Sequence, residues 1–165
     1  PNYWLLKAPC HIQHISEILN TYPEAQFVFI HRHPKDTIAS ISSLSANLRS
    51  AFSKSIDKHE IGQGALSFWA KAIENFLDQR TLIKESNMID INFNEFINNP
   101  IGLAETTFKK FQLNLDAHTR VKMETFIKNK SQLRTSSHHY NLDDFSLTTE
   151  QVNQSFKNYI ETFSL

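Results

Sequence analysis

The segment that most constrains the fold is "QFVFIHRHPKD", residues 26–36. Its apolar run, Phe27 to Ile30, continues without a turn into Arg32, and Pro34 follows two residues later. An unbroken apolar run is typical of a parallel strand that is covered on both faces. Proline is favoured at the first position of a helix. The segment therefore predicts a buried strand that leads through an arginine directly into a helix.

A strand–helix–strand unit is predicted for the beginning of the chain. The apolar residues 3–6, "YWLL", predict a short buried strand that ends at Lys7. Residues 11–22 place apolar side chains at helical spacing. Tyr22 precedes a proline and ends this helix, because the residue before proline resists the α conformation. With the strand before Arg32, these elements form a βαβ unit.

Helices dominate the rest of the chain, with one further strand at residues 88–93, "MIDINF". Within the polar, serine-rich residues 45–64, the segment 53–64 ("SKSIDKHEIGQG") predicts a mobile loop. A loop is also predicted at 133–146. One predicted helix begins at Pro34, with a core stripe of Ile38, Ile41, Leu44, Leu48 and Phe52. Another spans about 65–85, and another follows the turn Asn99-Pro100. A last helix ends the chain over 147–163, with Thr148 or Thr149 as its cap. The fold class is α/β, with a partial parallel sheet of about three strands and many helices.

The charge balance restricts the possible partners. Lysine plus arginine and aspartate plus glutamate number 17 each, so the formal net charge is zero. Binders of nucleic acid or membrane surfaces normally carry a basic excess, so we expect neither as a partner, and any anion site must be local. The single cysteine, Cys10, is typical of a reducing compartment. Because no apolar run reaches transmembrane length, we expect a cytoplasmic protein.

Arg32 is the centre of a predicted anion site. In open parallel sheets, ligands bind outside the carboxyl ends of the strands, and a guanidinium next to a helix N-terminus favours phosphate or sulfate. Ser40 lies about 40° outside the apolar stripe of the following helix and can offer a hydroxyl. Lys7 ends the neighbouring predicted strand. The alternative is that Arg32 pairs with Asp36 or caps the sheet, and that Lys7 points to solvent.

Three segments resemble the sulfotransferases that use 3′-phosphoadenosine 5′-phosphosulfate (PAPS), particularly their bacterial branch. The first is "WLLKAPCHIQHISEILNTYPEAQFVFIHRHPKDTIASISSL", which is similar to that branch's Trp-x-Leu-Lys-x-Pro-x-His opening and its Arg-x-Pro with a later serine. "INFNEFINNP" resembles the family segment Tyr-Glu-Asp-Leu-x-x-x-Pro, and "HHYNLDDFSLT" resembles His-x-Tyr-x-Leu-x-x-Phe-Gly-Leu. The resemblance implies a P-loop-like sulfotransferase fold and sulfuryl transfer from PAPS to an acceptor hydroxyl or amine, without a metal.

The resemblance also implies roles for individual residues. Arg32 and Ser40 occupy the positions that hold the 3′-phosphate of the cofactor, and Lys7 matches the lysine near the transferred group. Phe93 replaces the usual tyrosine near the adenine, so apolar contact is kept and a hydroxyl contact is lost. Ser146 stands where the family generally has glycine. Arg134 and His138, in the C-terminal loop, are further candidates for cofactor contacts, although Arg134 can equally form a surface ion pair.

His11 is the candidate catalytic base, because it follows Lys7 by four residues at the end of the predicted strand. Cytosolic family members carry their catalytic histidine two positions after the lysine, where this chain has Pro9. The alternative is a helix-capping or solvated histidine. His11 and His14 are spaced as a possible metal pair, but no third ligand is visible nearby.

One family feature has no counterpart here. The loop that binds the 5′-phosphosulfate is rich in glycine and lies upstream of the lysine segment. The three glycines, Gly62, Gly64 and Gly102, do not form it. We therefore expect residues 1–165 to be the C-terminal portion of a single sulfotransferase domain, and the isolated fragment to be inactive.

Two other functions are compatible with the sequence. A nucleotide kinase fragment would share the fold but needs magnesium ligands, for which we find no acidic cluster. A non-catalytic helical interaction module is the second alternative. The sequence leaves the oligomeric state open, and also whether the acceptor is a small molecule, carbohydrate, lipid or peptide. We expect residues 45–64 to form part of the acceptor pocket.

Overall fold

The computed structural model describes residues 3–132 and 140–165. The chain divides into two compact units. The first, here called the helical unit, comprises Pro1–Ala25, His33–Lys84 and Asn141–Leu165. The second, the sheet unit, comprises Gln26–Arg32 and Glu85–Tyr140.

The described part of the helical unit contains five α-helices. They are α1 (Ile15–Thr21), α2 (Pro34–Ser50), α3 (Lys58–Gln79), α7 (Thr149–Ser155) and α8 (Lys157–Phe163). Short 3-10 helices lie at Pro9–Gln13, Arg80–Leu82 and Asp143–Phe145. The long helix α3 is the centre of this unit, since α2, α7, α8 and the Asp143–Phe145 turn all pack against it.

Apolar side chains from several helices form the core of the helical unit. The fully or almost fully buried ones are Ile15, Ile38, Ile61, Leu66, Phe76, Phe145, Leu147, Val152 and Phe156. Burying a side chain of this size stabilises the fold by roughly 1.5–3 kcal/mol. This packing, rather than helix propensity, holds the short helices α1, α7 and α8, because helices of 7 residues are marginal by themselves.

Three helices begin at side-chain caps that the sequence specifies. The imidazole Nδ1 of His33 accepts a hydrogen bond from the backbone N–H of Lys35 at the start of α2 (3.2 Å). Asp57 Oδ1 accepts one from the backbone N–H of Glu60 at the start of α3 (3.1 Å). Thr148 and Gln151 form a reciprocal capping box at α7, which confirms Thr148 as the cap.

A glycine allows α3 to approach the turn at Phe145. A Cβ atom at Gly62 would lie 2.5 Å from the carbonyl oxygen of Phe145 and 2.8 Å from its Cβ, so only glycine fits. Directly after this turn, Ser146 adopts a left-handed conformation, with φ 53° and ψ 39°. Glycine favours this region, so the turn keeps a glycine-like backbone although serine stands there.

The sheet unit is built on two parallel strands, β1 (Phe27–His31) and β2 (Met88–Asn92). The register runs from Phe27 opposite Met88 to His31 opposite Asn92. Within the described residues of this unit, three helices follow β2: α4 (Phe93–Asn98), α5 (Pro100–Lys110) and α6 (Ala117–Gln132). Asn99 caps α5 through its side chain, which accepts from the backbone N–H of Gly102 (3.1 Å). The predicted turn at Asn99-Pro100 is thus confirmed.

The predicted strand at residues 3–6 is wrong. These residues are not in a strand, and Trp4 and Leu5 are 88% and 96% exposed. An apolar run becomes a strand only where a neighbouring strand offers backbone partners, and within the described residues the sheet consists of β1 and β2. The predicted βαβ unit at the start of the chain is therefore not formed; β1 pairs with β2 instead.

The strand β1 is also less covered than its sequence predicts. Phe27 and Phe29 are half-buried on one face, whereas Val28 and Ile30 on the other face are 45% and 48% exposed. A pure apolar run fits a strand with two covered faces, but one face of β1 is open in this structure.

The boundaries around α3 differ from the prediction as well. The predicted loop at 53–64 is short, because α2 continues to Ser50 and α3 already begins at Lys58. Asp57 supplies the cap, and the apolar residues Ile61 and Leu66 face the core. The predicted final helix is divided into α7 and α8 at Phe156.

The predicted core stripe of α2 is only partly correct. Ile38 is buried, but Leu44, Leu48 and Phe52 are 52%, 59% and 93% exposed. The buried face is instead lined by small side chains, Ala39, Ser42 and Ala46. Small residues permit close approach of α3 and α7, so size rather than hydrophobicity selects this face.

Candidate functional site

The sheet register brings Arg32 and Phe93 together. Both residues directly follow the last paired positions of the parallel strands, His31 and Asn92. The guanidinium carbon of Arg32 lies 4.8 Å from the centroid of the Phe93 ring, within the range of a cation–π contact. The arginine and the phenylalanine are each half-buried. A positive group is thus seated on an aromatic face at the carboxyl edge of the sheet.

The position of Phe93 is fixed by the end of β2. Asn92 is both the last residue of β2 and the N-cap of α4, and its Oδ1 accepts a hydrogen bond from the backbone N–H of Asn94 (2.8 Å). Phe93 is therefore the first residue of α4, directly after a capped turn. Because Asn92 both ends the strand and caps the helix, and Phe93 is the next residue, the ring has little freedom relative to the sheet.

A polar pair joins the two strands beside this contact. The Nε2–H of His31 donates a hydrogen bond to Oδ1 of Asp90 over 2.8 Å. His31 is only 4% exposed, whereas the Asp90 side chain is 33% exposed. Sequence reasoning missed Asp90 as the partner of His31. The available signal was a carboxylate inside an otherwise apolar strand, "MIDIN".

His33 acts as a helix cap and not as a cation. Its Nδ1 must be unprotonated to accept from the backbone of Lys35. Burial lowers the pKa of His33, the charge of Lys35 lowers it further, and Asp36 opposes both effects. His33 is therefore neutral at pH 7, and the positive end of α2 comes from its backbone.

An open cavity of about 570 Å³ lies in the helical unit, between the end of α2 and the start of α3. Leu48, Phe52 and Ile56 supply apolar surface, while Arg49 and Asp57 supply charge. A volume of this size is typical of sites for small molecules. The cavity lies within the serine-rich segment 45–64, where we expect part of the acceptor pocket.

Comparison with known proteins identifies the family. A family model described as "Sulfotransferase family" matches residues 1–117. The chain belongs to the sulfotransferase family. No curated protein matches the sequence significantly.

Two solved sulfotransferases share the fold of this sulfotransferase chain. STF9 from Mycobacterium avium superimposes with a TM-score of 0.89 at 25% sequence identity, covering 100% of this chain and 43% of that protein. STF1 from Mycobacterium tuberculosis H37Rv superimposes with a TM-score of 0.81 at 28% identity, covering 94% of this chain and 39% of that protein. The predicted fold class is thereby confirmed. The chain spans less than half the length of these solved relatives.

The other predicted site residues of the sulfotransferase chain belong to the helical unit. Lys7 is exposed in an irregular segment before the 3-10 helix Pro9–Gln13. His11 is half-buried inside that 3-10 helix, where its carbonyl accepts from the backbone N–H of His14 (3.1 Å). Ser40 is half-buried in the first half of α2.

Two predicted contacts of the cofactor, Arg134 and His138, lie outside the described residues. Across 3–132 and 140–165, no group of three potential metal-binding side chains is close enough to hold an ion. Over the same ranges, no helix has both the length and the hydrophobicity of a membrane span.

Proposed function

We propose that this chain is the part of a PAPS-dependent sulfotransferase that holds the 3′-phosphate of the donor, with Arg32 as its principal ligand. The observation that carries the proposal is the seat of Arg32 on Phe93 at the carboxyl ends of two parallel strands, in a chain that belongs to the sulfotransferase family. A guanidinium offers several donors in a planar fork, which suits the oxygens of a phosphate.

In this proposal Arg32 and Ser40 bind the 3′-phosphate, and Phe93 supports the nucleotide from the apolar side. Stacking on Phe93 restricts the guanidinium before any ligand binds. Pre-orientation of this kind improves affinity, because less side-chain entropy is lost on binding. Arg134 and His138 are proposed as additional contacts of the cofactor.

Lys7 and His11 are the proposed catalytic residues. When bound, PAPS supplies the sulfuryl group, and its 5′-phosphate is the leaving group. His11 accepts the proton of the acceptor hydroxyl or amine as the new bond to sulfur forms. Lys7 stabilises the negative charge that develops on the bridging oxygen as the old sulfur–oxygen bond breaks. The proposed transfer requires no metal ion, because Lys7, Arg32 and the helix N-terminus carry the charge compensation.

The cavity beside Phe52 is the proposed acceptor site. Its apolar lining with flanking charges suits an acceptor that combines an apolar body with a polar group, which small molecules, carbohydrates, lipids and peptides can each provide. The protein is proposed to act in the cytoplasm, without nucleic acid or a membrane as partner, since the formal charge is balanced. The chain by itself is proposed to be the C-terminal portion of the domain and to be inactive without the 5′-phosphosulfate loop.

The experiment that tests the proposal is calorimetric binding of 3′-phosphoadenosine 5′-phosphate and of 5′-AMP, with the protein expressed from its complete coding sequence. We expect the 3′-phosphorylated nucleotide to bind at least about tenfold more tightly. Arg32→Ala is expected to abolish that preference, because 5′-AMP lacks the 3′-phosphate that the guanidinium is proposed to bind. Equal binding of both nucleotides by the wild type would refute the proposal.

Arg80→Ala is the matched control. Arg80 also stacks on aromatic rings, with its guanidinium carbon 5.0 Å from the Phe163 ring centroid, but it lies at the end of α3. Its loss should lower stability and leave the nucleotide preference unchanged. If both arginine variants reduce the preference equally, the effect is structural and Arg32 is not the phosphate ligand.

A further inference from the structure

The strand sequences alone leave the register of β1 and β2 incompletely determined. A one-residue shift would move every side chain to the other face, but a shift of two residues keeps each side chain on its face. Such a shift would displace Arg32 along the strand by about 6–7 Å, which takes it out of cation–π range of Phe93. The Arg32–Phe93 contact thus depends on a feature that distinguishes these two registers.

The hydrogen bond between His31 and Asp90 is such a feature. Asp90 is paired in register with Phe29, so His31 lies diagonally across from it on the same face of the sheet. The 2.8 Å distance between His31 Nε2 and Asp90 Oδ1 exists only at this diagonal. In a register shifted by two, the imidazole would lose this partner.

The burial of His31 makes that loss costly. Only 4% of His31 is exposed, and leaving a buried polar group unsatisfied costs about 1–3 kcal/mol. An apolar pair at these positions would contribute no such penalty, because apolar contacts do not depend on direction. The hydrogen bond between His31 and Asp90 therefore favours the observed register over one shifted by two residues, whereas the apolar side chains are compatible with both.

We infer that Asp90, through its hydrogen bond to His31, is a positioning residue that keeps Arg32 seated on Phe93. Arg32 directly follows His31, so a shift or rotation of the end of β1 moves the guanidinium with it. Asp90 lies on β2, three residues before Phe93. The same hydrogen bond therefore couples both partners of the Arg32–Phe93 contact. The effect on nucleotide recognition rests on the proposed function, whereas the positioning itself does not.

The positioning is tested by NMR of the ligand-free protein expressed from its complete coding sequence. The ring of Phe93 shifts the guanidinium resonances of Arg32, and Phe93→Leu defines the value without the ring. We expect Asp90→Ala to move the Arg32 resonances most of the way to this value. Asp90→Asn should retain them, because its amide oxygen still accepts from Nε2–H. Unchanged Arg32 resonances in Asp90→Ala would overturn the inference.

Ile89→Ala is the control variant, since Ile89 is the neighbour of Asp90 on β2 and points to the other face of the sheet. It should lower stability without moving the Arg32 resonances; a shift equal to that of Asp90→Ala would also overturn the inference. If Asp90→Ala does not fold, His31→Phe removes the donor with its ring bulk kept, and His31→Gln keeps a donor. The first should displace Arg32 and the second should not.

The consequence for the function is tested by a double-mutant cycle with Arg32→Ala. The readout is the preference for 3′-phosphoadenosine 5′-phosphate over 5′-AMP in the protein from its complete coding sequence. We expect Asp90→Ala to reduce this preference about tenfold, and to have no further effect once Arg32 is absent. A purely structural role would weaken both nucleotides alike, and that result would overturn the inference for the site.

The two proposals fail in different ways. If the wild type shows no preference for the 3′-phosphate, the proposed function is wrong, and the NMR experiment alone decides the role of Asp90. If the preference exists and depends on Arg32 but not on Asp90, the proposed function stands and the inference falls.

Discussion

Each of the two units contains an arginine that stacks on an aromatic ring, but the surroundings of the two contacts differ. In the helical unit, Arg80 lies over Phe76 and Phe163 at distances of 5.9 and 5.0 Å, and Phe76 is 2% exposed. In the sheet unit, Arg32 lies 4.8 Å over Phe93 at the ends of two strands. The first contact borders an apolar core, whereas the second borders a polar pair.

The distribution of buried residues explains the difference. Among the described residues, the buried apolar side chains of the sheet unit are Ile91 and Phe111, and all the others belong to the helical unit. The helical unit is therefore stabilised mainly by apolar packing. The sheet unit buries fewer apolar side chains, and its two strands are joined by backbone pairing and by the hydrogen bond between His31 and Asp90. This suits the role that we propose for the sheet unit, which is to present Arg32 to the 3′-phosphate.

The role of apolar packing in the helical unit is tested most directly at Phe76. Phe76→Ala removes a ring that is 2% exposed and stacks on Phe163, and we expect it to cost about 3–5 kcal/mol. Phe68→Ala is the control on the same helix, since Phe68 is 54% exposed. Urea unfolding followed by circular dichroism measures both. Similar costs for the two variants would show that the core of α3 is not the main source of stability.

Gly62 and Gly64 on α3 form a matched pair that tests how closely the helical unit is packed. In Gly62→Ala the new methyl group would meet the backbone of Phe145 at 2.5 Å, and we expect a loss of about 1–3 kcal/mol from overpacking. In Gly64→Ala the methyl group meets nothing within 4 Å, and the higher helix propensity of alanine should stabilise by up to about 1 kcal/mol. Thermal unfolding of both variants should shift in opposite directions; equal shifts would contradict the close packing of α3 on the Phe145 turn.

The smallest expected effect concerns His33, which caps α2 through a side-chain hydrogen bond within the helical unit. The folded-state pKa of His33 is lowered, first by burial and then by Lys35, so the unfolded chain takes up the proton first. Its contribution to stability is therefore complete above the unfolded pKa of about 6.5 and is lost as pH falls through the lower folded value.

Urea unfolding at pH 7.5 and 5.5 checks this dependence against His33→Asn, which can cap α2 without titrating. We expect the wild type to lose more stability than the variant between these pH values. The other histidines are common to both proteins, so their contributions cancel. An identical loss in both would contradict a lowered pKa of His33 in the folded protein.

The parts of the fold that local chemistry determines were predictable. The segment "FVFIHRHP" predicts β1 and the start of α2 at Pro34, and Asn99 and Thr148 predict the beginnings of α5 and α7. Each of these signals acts within a few residues, through a cap, a proline or an apolar run. The family motifs around Arg32 and Phe93 are also local signals, because their spacing can be read directly from the sequence.

Features that depend on distant partners were not predictable. "YWLL" has the composition of a strand, but it forms none because β1 pairs with β2 instead. The stripe of Leu44 and Leu48 looks like a core face of α2, but the small residues Ala39, Ser42 and Ala46 are buried instead. In each case the outcome depends on which surface comes to lie opposite, and no local pattern contains that information.

The sequence by itself determined β1, β2 and the starts of α2, α5 and α7, that an arginine would follow β1, and that the chain resembles a sulfotransferase. The tertiary structure alone decided that Arg32 rests on Phe93 and that Asp90 bonds the buried His31. The physical reason is range. Capping and hydrophobic periodicity act between residues that are close in the chain, whereas His31 and Asp90 are 59 residues apart and meet only when two strands pair in one register.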